Sequence, residues 1–221
     1  MRILVTRVRE GSVSGCLYDT LMMHGKYQVS HLDNKWDITS LETYPDDLGH
    51  YDVIFNCTGI TLNQDVLSMN EIDTMKVFKV NVVGAAMLTS AYANARKNLG
   101  LNGLIVHVGS VGSRKVFTNC SAYCASKAGL AHYIQCSGYE LKKHGISVIG
   151  VHPSNIKGTQ MTHRVQDELI SNRDMTYQQV VDIYEDAHCV EDVVDFMLSV
   201  LNMPWTEVTG ENFYLGQGWK G

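Results

Sequence analysis

Short apolar runs recur along the chain: Ile3-Leu4-Val5, Val53-Ile54-Phe55, Leu104-Ile105-Val106 and Val148-Ile149-Gly150-Val151. Each is too short for a helix, is rich in β-branched residues and lacks polar alternation, as expected of strands buried on both faces. Longer segments with helical spacing separate them. Such alternation predicts a parallel sheet covered by helices on both faces: a doubly wound, Rossmann-like α/β fold in three α/β/α layers. A chain of 221 residues fits a single domain over 1–221, and no internal repeat interrupts it.

Composition narrows the function classes. A formal charge of -5 leaves no basic footprint for nucleic acid. No apolar segment approaches a membrane span, and the opening M-R-I-L-V-T-R is too short for a signal peptide. The six cysteines contain no C-x-x-C pair and read as reduced, buried thiols of a cytoplasmic protein. None of the nine histidines pairs with another at ligand spacing, so no metal site is expected.

Taken in order, a strand over 2–6 leads into a loop over 7–15 containing Gly11 and Gly15, then a helix to about His24. In such a unit helix N-terminal amides can receive a pyrophosphate, although no G-x-G-x-x-G is present and a plain strand-to-helix turn reads the same way. A second strand near 28–32 ends at Asp33. Its carboxylate suits ribose hydroxyls and would repel a 2′-phosphate; it equally suits a solvated turn. Asp37 and Ile38 follow too soon for a crossover helix, and 40–50 reads as an exposed connection. The strand at 52–55 runs into Asn56-Cys57-Thr58-Gly59. A helix over 70–97 carries an apolar stripe (Ile72, Met75, Phe78, Val82, Ala85, Ala86) that Asn81 interrupts. Next come a strand over 104–108, a helix over 121–144 stopped by Gly145, and a strand over 147–151 ending at 152–156. Short helices over 157–188, a helix over 191–201 and a strand over 212–215 complete the chain.

Chemistry gathers between 107 and 127. Ser110 follows a strand end, and Tyr123 and Lys127 lie four apart in the next helix, so phenol and ammonium share a face. A Ser, Tyr and Lys converging on one pocket suit proton transfer to or from an oxygen. A second pair, Tyr139 and Lys143, lies about 24 Å along the same helix, in a charged last turn where a surface role suffices. Position selects Tyr123.

The ordered set Thr6, Asp37-Ile38, Asn56-x-x-Gly59, Asn81, Ser110, Tyr123-x-x-x-Lys127 and Pro153 to Ile156 resembles the short-chain dehydrogenase/reductase family over nearly the whole chain. The resemblance implies an NAD(P)-dependent oxidoreductase that interconverts a secondary alcohol and a carbonyl. Asn81, Ser110, Tyr123 and Lys127 would be catalytic. Tyr123 would act as general acid or base, its pKa lowered by the ammonium and the oxidised nicotinamide. Lys127 would also bind the nicotinamide ribose, Ser110 would hold the substrate oxygen, and Asn81 would hold a water. Thr6, Arg7, Gly11, Asp33, Asp37, Ile38, Asn56, Thr58, Gly59, Pro153 and Ile156 would contact the cofactor, NAD being favoured through Asp33. The resemblance also implies a small-molecule substrate and a homodimer or homotetramer built on the two long helices. The sequence departs from the family's T-G-x-x-x-G-x-G loop: Arg7 and Val13 stand where glycines are usual, and Ser154 follows Pro153 in place of glycine. Two alternatives stay open: a binding or regulatory protein with weakened cofactor binding, and a small relative of sugar-nucleotide reductases or epimerases.

Overall fold

The computed structural model describes residues 1–32, 36–172, 176, 178–179 and 187–216. Its strands are β1 (Arg2–Val5), β2 (Gln28–His31), β3 (Val53–Asn56), β4 (Gly103–Val108), β5 (Ile146–Pro153) and β6 (Asn212–Leu215). In β1, Ile3 and Val5 face one core and Leu4 the other, all three fully buried. Val53, Phe55, Leu104, Val106, Ile149 and Val151 continue the first face, and Ile54, Ile105 and Val148 the second. With both faces covered, polar alternation would bury unpaired polar groups, which explains the continuous apolar runs.

The helices are α1 (Val13–His24), α2 (Glu71–Phe78), α3 (Ala85–Asn98), α4 (Ser121–Leu141), α5 (Gln160–Asn172) and α6 (Val190–Val200). Leu17 and Leu21 of α1 and Val193, Met197 and Val200 of α6 fill the first core. Leu88 and Tyr92 of α3 with Leu130 and Ile134 of α4 fill the second. Each fully buried aliphatic side chain contributes about 1.5–3 kcal/mol. The six strands are all parallel in the order β2-β1-β3-β4-β5-β6. The architecture is the expected doubly wound α/β/α sandwich. Strand order reverses between β1 and β3, and the carboxyl ends there form the crevice where such sheets bind ligands.

Some expectations change. Residues 40–50 are not simply exposed: Leu48 and Gly49 are buried, and a Cβ on Gly49 would lie 2.8 Å from Ala95 Cβ of α3. The helix over 70–97 is three pieces, α2 and α3 flanking a π-helical turn at Lys79–Gly84. Its proposed stripe fails at the start, since Ile72 and Met75 are exposed. None of the six cysteines forms a disulfide, but they are not the buried thiols expected: Cys16, Cys57, Cys120 and Cys124 are half-buried, and Cys136 and Cys189 are exposed. Gly145 does end the long helix, with a left-handed φ of 69° after a 3-10 turn.

Candidate active site

At the carboxyl end of β4 the chain turns through Ser110, whose Oγ accepts the Gly112 amide at 3.0 Å and caps a short 3-10 turn. The Ser110 hydroxyl also lies near enough to the Tyr123 side chain, in the first turn of α4, to pull the pKa of the phenol down. One turn on, Lys127 is almost fully buried, and its Nζ donates to the Val108 carbonyl at 3.0 Å. The ammonium lies 5.9 Å from the centre of the Tyr123 ring. A strand end and a helix start thus bring the expected trio together. Tyr139 is exposed, as its position implied.

Electrostatics here differ from expectation. Burial pushes the Tyr123 phenol up to about 12, with Ser110 pulling the other way. Burial also pushes Lys127 down to about 8. Desolvation sets the direction of both shifts in the protein alone. At neutral pH the phenol holds its proton.

The trio faces a cleft of about 670 Å³, of a size suited to a small organic ligand. Arg7, Gly59, Ser110, Tyr123, Lys127, Pro153 and Ile156 all line it. Gly59 is closely held: a Cβ there would come within 3.3 Å of Lys127 Nζ and 3.4 Å of Asn81 Oδ1.

Other candidates stand behind the cleft wall. Thr6 is fully buried, its Oγ1 bonded to Asn56 Oδ1 and Thr58 Oγ1 at 3.2 and 2.8 Å. Asn56 does not line the cleft. It shares a face with Ile54, and its Nδ2 donates to His107 Nδ1 at 2.9 Å. Thr58 joins this network through its amide, which donates to Asn56 Oδ1. These three residues brace β1 against β3. Asn81 is buried in the π-helical turn: its Nδ2 donates to the Ile60 carbonyl and Ser126 Oγ, and its Oδ1 accepts the Ile60 amide. The side chain therefore holds the backbone after Gly59. Ile38 is a core residue packed where a Cβ on Gly84 would collide with it at 2.8 Å. The Asp37 carboxylate accepts from Thr39 N and Oγ1, which holds its pKa below the usual range. Gly11 has φ 65° and lies beside the cleft, its carbonyl accepting the Gln160 amide at 3.3 Å. Asp33 lies outside the described residues.

The loop before α1 compensates for its missing glycines by geometry. Arg7 takes a left-handed φ of 55°. Gly15 is indispensable, because a Cβ there would sit 2.2 Å from the Arg9 carbonyl oxygen. Ser12 caps α1 by accepting the Gly15 amide at 3.1 Å, and Ser14 Oγ donates to the Arg7 carbonyl at 2.7 Å. Arg9, Ser12 and Ser14 line the cleft with Arg7. Sequence reasoning gave Cys57, Phe117 and Gln160 no place in the cleft, yet they line it too. Phe117 had a signal, lying between Ser110 and Tyr123; its ring comes within 3.1 Å of where a Cβ on Gly112 would stand. Among the described residues no helix is long and apolar enough to cross a membrane. Nor does any group of His, Cys, Asp and Glu side chains among them form a metal site.

Residues 33–170 match the short chain dehydrogenase family model. The match starts beyond β2, after the loop over 7–15. The human (3R)-3-hydroxyacyl-CoA dehydrogenase is 33% identical over 147 residues, 66% of this chain and 55% of that protein. The NADP-dependent 3-hydroxy acid dehydrogenase of Schizosaccharomyces pombe is 29% identical over 145 residues, 61% of this chain and 55% of that protein. The chain thus spans about half the length of the curated relatives it matches. A solved 4-hydroxyisoleucine dehydrogenase mutant, complexed with NADH and succinate, superposes with a TM-score of 0.82 at 21% identity, covering 99% of this chain and 98% of that one. With the family model matched over more than half of its length, on a fold of this topology, the chain belongs to the short-chain dehydrogenase family.

Proposed function

We propose that the protein is an NAD(P)-dependent oxidoreductase interconverting a secondary alcohol and a carbonyl. One observation carries this reading: the Tyr123 phenol, beside Ser110 and one turn from buried Lys127, lines with both of them a cleft at the carboxyl ends of the strands. The cleft fits a dinucleotide. It lies at the reversal of strand order, and the tight turn at Gly15 lays the start of α1 against it. No acidic residue occupies the first turn of α1, and Arg7 and Arg9 add positive charge, a donor set suited to a pyrophosphate. When bound, the nicotinamide supplies the hydride chemistry.

The chain's own residues do the rest. Ser110 donates to the substrate oxygen, and Tyr123 transfers the proton at that same oxygen. The high pKa of the phenol leaves it protonated and ready to donate to a carbonyl being reduced. Lys127, anchored on the Val108 carbonyl, keeps a positive charge beside the phenol and offers its remaining donors to the ribose. Asn81 acts indirectly, by fixing the segment after Gly59. Asp33 favours NAD over NADP. Apolar residues exposed on α2 and α3 (Ile72, Met75, Met87) support assembly into a homodimer or homotetramer, and six cysteines without a disulfide suit the cytoplasm.

Replacing Tyr123 by Phe tests the assignment. Turnover of a secondary alcohol or ketone should fall by at least about 10³-fold, while NADH fluorescence titration shows retained binding. Unchanged turnover refutes it. The second reading, a binding protein without tight cofactor affinity, is favoured by Arg7 holding a glycine's conformation. Absence of binding of both NADH and NADPH at millimolar concentrations would establish that reading instead.

A further inference from the structure

We propose that His152 is a positioning residue whose neutral imidazole, oriented by Asn212, fixes the backbone at Ser110 and ties it to the helix bearing Tyr123 and Lys127. The functional half of this inference rests on the oxidoreductase reading above; the geometric half does not. The Ser110 amide donates to His152 Nδ1 at 3.2 Å, and His152 Nε2 meets Asn212 Oδ1 at 2.6 Å. Asn212 Nδ2 donates to the Ala131 carbonyl at 3.0 Å, in α4 two turns beyond Tyr123. These contacts determine one another. The Ala131 carbonyl can only accept, so the amide nitrogen of Asn212 must face it and Oδ1 must face the ring. Oδ1 can only accept, so Nε2 carries the proton. In the neutral ring Nδ1 is then bare and accepts the Ser110 amide, while the Ser110 carbonyl, 3.3 Å from the same nitrogen, takes its donors from Ser113 N and Oγ instead. Burial, reinforced by the nearby charges of Lys127 and Arg114, pushes the pKa of His152 down to about 4 and keeps it neutral.

The backbone is shaped to admit this ring. A Cβ on Gly109 would lie 2.2 Å from His152 Nδ1, so a side chain just before Ser110 would exclude the imidazole. A Cβ on Gly150 would lie 2.3 Å from Asn212 Oδ1 and 2.6 Å from His152 Nε2. Glycine inside a strand weakens it unless something must approach closely; here Gly150 inside β5 meets both side chains, and Gly109, just past the end of β4, meets the imidazole. The outer face of the ring stacks on Tyr214 at 4.5 Å with a 22° interplanar angle, and Arg114 covers the far side of Tyr214 at 3.7 Å. The ring is held by both nitrogens and one face. A histidine that merely filled the core would require neither the two glycines nor a chain of contacts from β4 to α4.

Two measurements test this. Long-range ¹H–¹⁵N spectra of the wild-type imidazoles, recorded from pH 5.5 to 8, should show His152 as the Nε2–H tautomer throughout. Replacing Asn212 by Leu should then shift the Ser110 amide resonance. An Nδ1–H tautomer, an imidazolium, or an unmoved Ser110 amide overturns the geometry whatever the activity. For kinetics, the assay uses a substrate that wild type turns over and Tyr123→Phe does not. His152→Leu, which removes the acceptor, should lower kcat on the order of 10- to 100-fold with the NADH dissociation constant unchanged. His152→Asn keeps an acceptor where Nδ1 lies and should recover to within about fivefold of wild type. Equal losses in the two variants, or losses that follow cofactor affinity or the melting temperature, would reduce His152 to a structural role. Retained activity in Tyr123→Phe would refute the oxidoreductase reading and leave the imidazole geometry to be decided by the spectra.

Discussion

Acid should destabilise this protein well before its carboxylates are protonated, through two rings buried in the neutral form. His107 is fully buried between Asn56 Nδ2 and Thr89 Oγ1, each at 2.9 Å from a ring nitrogen, and burial pushes its pKa down to about 3. His152 is also fully buried, with its pKa pushed down to about 4. Unfolding releases both to about 6.5. Below that value the unfolded chain binds protons the folded chain refuses, so stability falls as pH falls. Moving from pH 7 to pH 5 costs about 2 kcal/mol per ring, about 4 kcal/mol together. That is a large fraction of the 5–15 kcal/mol typical of a domain. Other shifted groups stay out of this window. Asp37 and Asp192, whose pKa values are lowered, lose stability only at more acid pH. Lys127, at about 8, is charged in both states. Urea unfolding followed by far-UV circular dichroism at pH 7, 6 and 5 measures the slope at constant m. In His107→Gln, which keeps a donor and an acceptor but cannot titrate, the loss should drop by about half. Equal stability at pH 7 and 5, or the same slope in the variant, would refute the reasoning.

The remaining predictions concern the loop before α1 and the opposite end of the sheet. Gly15→Ala forces a Cβ against the Arg9 carbonyl, and should cost about 2–4 kcal/mol and abolish NADH binding in a fluorescence titration. Arg7→Gly relieves a left-handed arginine but removes a cation from the cleft; the NADH dissociation constant should rise about 10-fold, and unchanged or tighter binding would show that Arg7 only occupies a glycine's place. Tyr92→Phe removes a hydroxyl that donates to the Tyr51 and Asp52 carbonyls, and should cost about 1–2 kcal/mol by chemical denaturation with kcat unchanged.

The Ser110, Tyr123 and Lys127 arrangement was legible because strand ends and helix starts leave marks in sequence, and four residues along a helix fix a shared face. The sign of the Tyr123 shift was not. It depends on how much water reaches the phenol, which only the packed cleft decides. The inward direction of Asn56 was available in the sequence: with Ile54 facing the core under α3, residue 56 must face the same way. The π-helical turn at Lys79–Gly84 has no such local mark. It accompanies a bond between Asn81 and Ile60, a partner 21 residues away. His152 and Asn212 were invisible for the same reason, since only the sheet makes them neighbours.

The position of β6 at the sheet's edge has a consequence for how the protein is made. Ser110, Tyr123 and Lys127 leave the ribosome long before Asn212, which pairs with His152 across 60 residues and with Ala131 across 81. Contacts so distant in sequence form late in folding. A nascent chain that has reached only β5 therefore carries Ser110, Tyr123 and Lys127 but lacks the link from His152 through Asn212 to Ala131. A chain stopped before Asn212 should therefore hold the Ser110 backbone less firmly, with the imidazole free to take either tautomer.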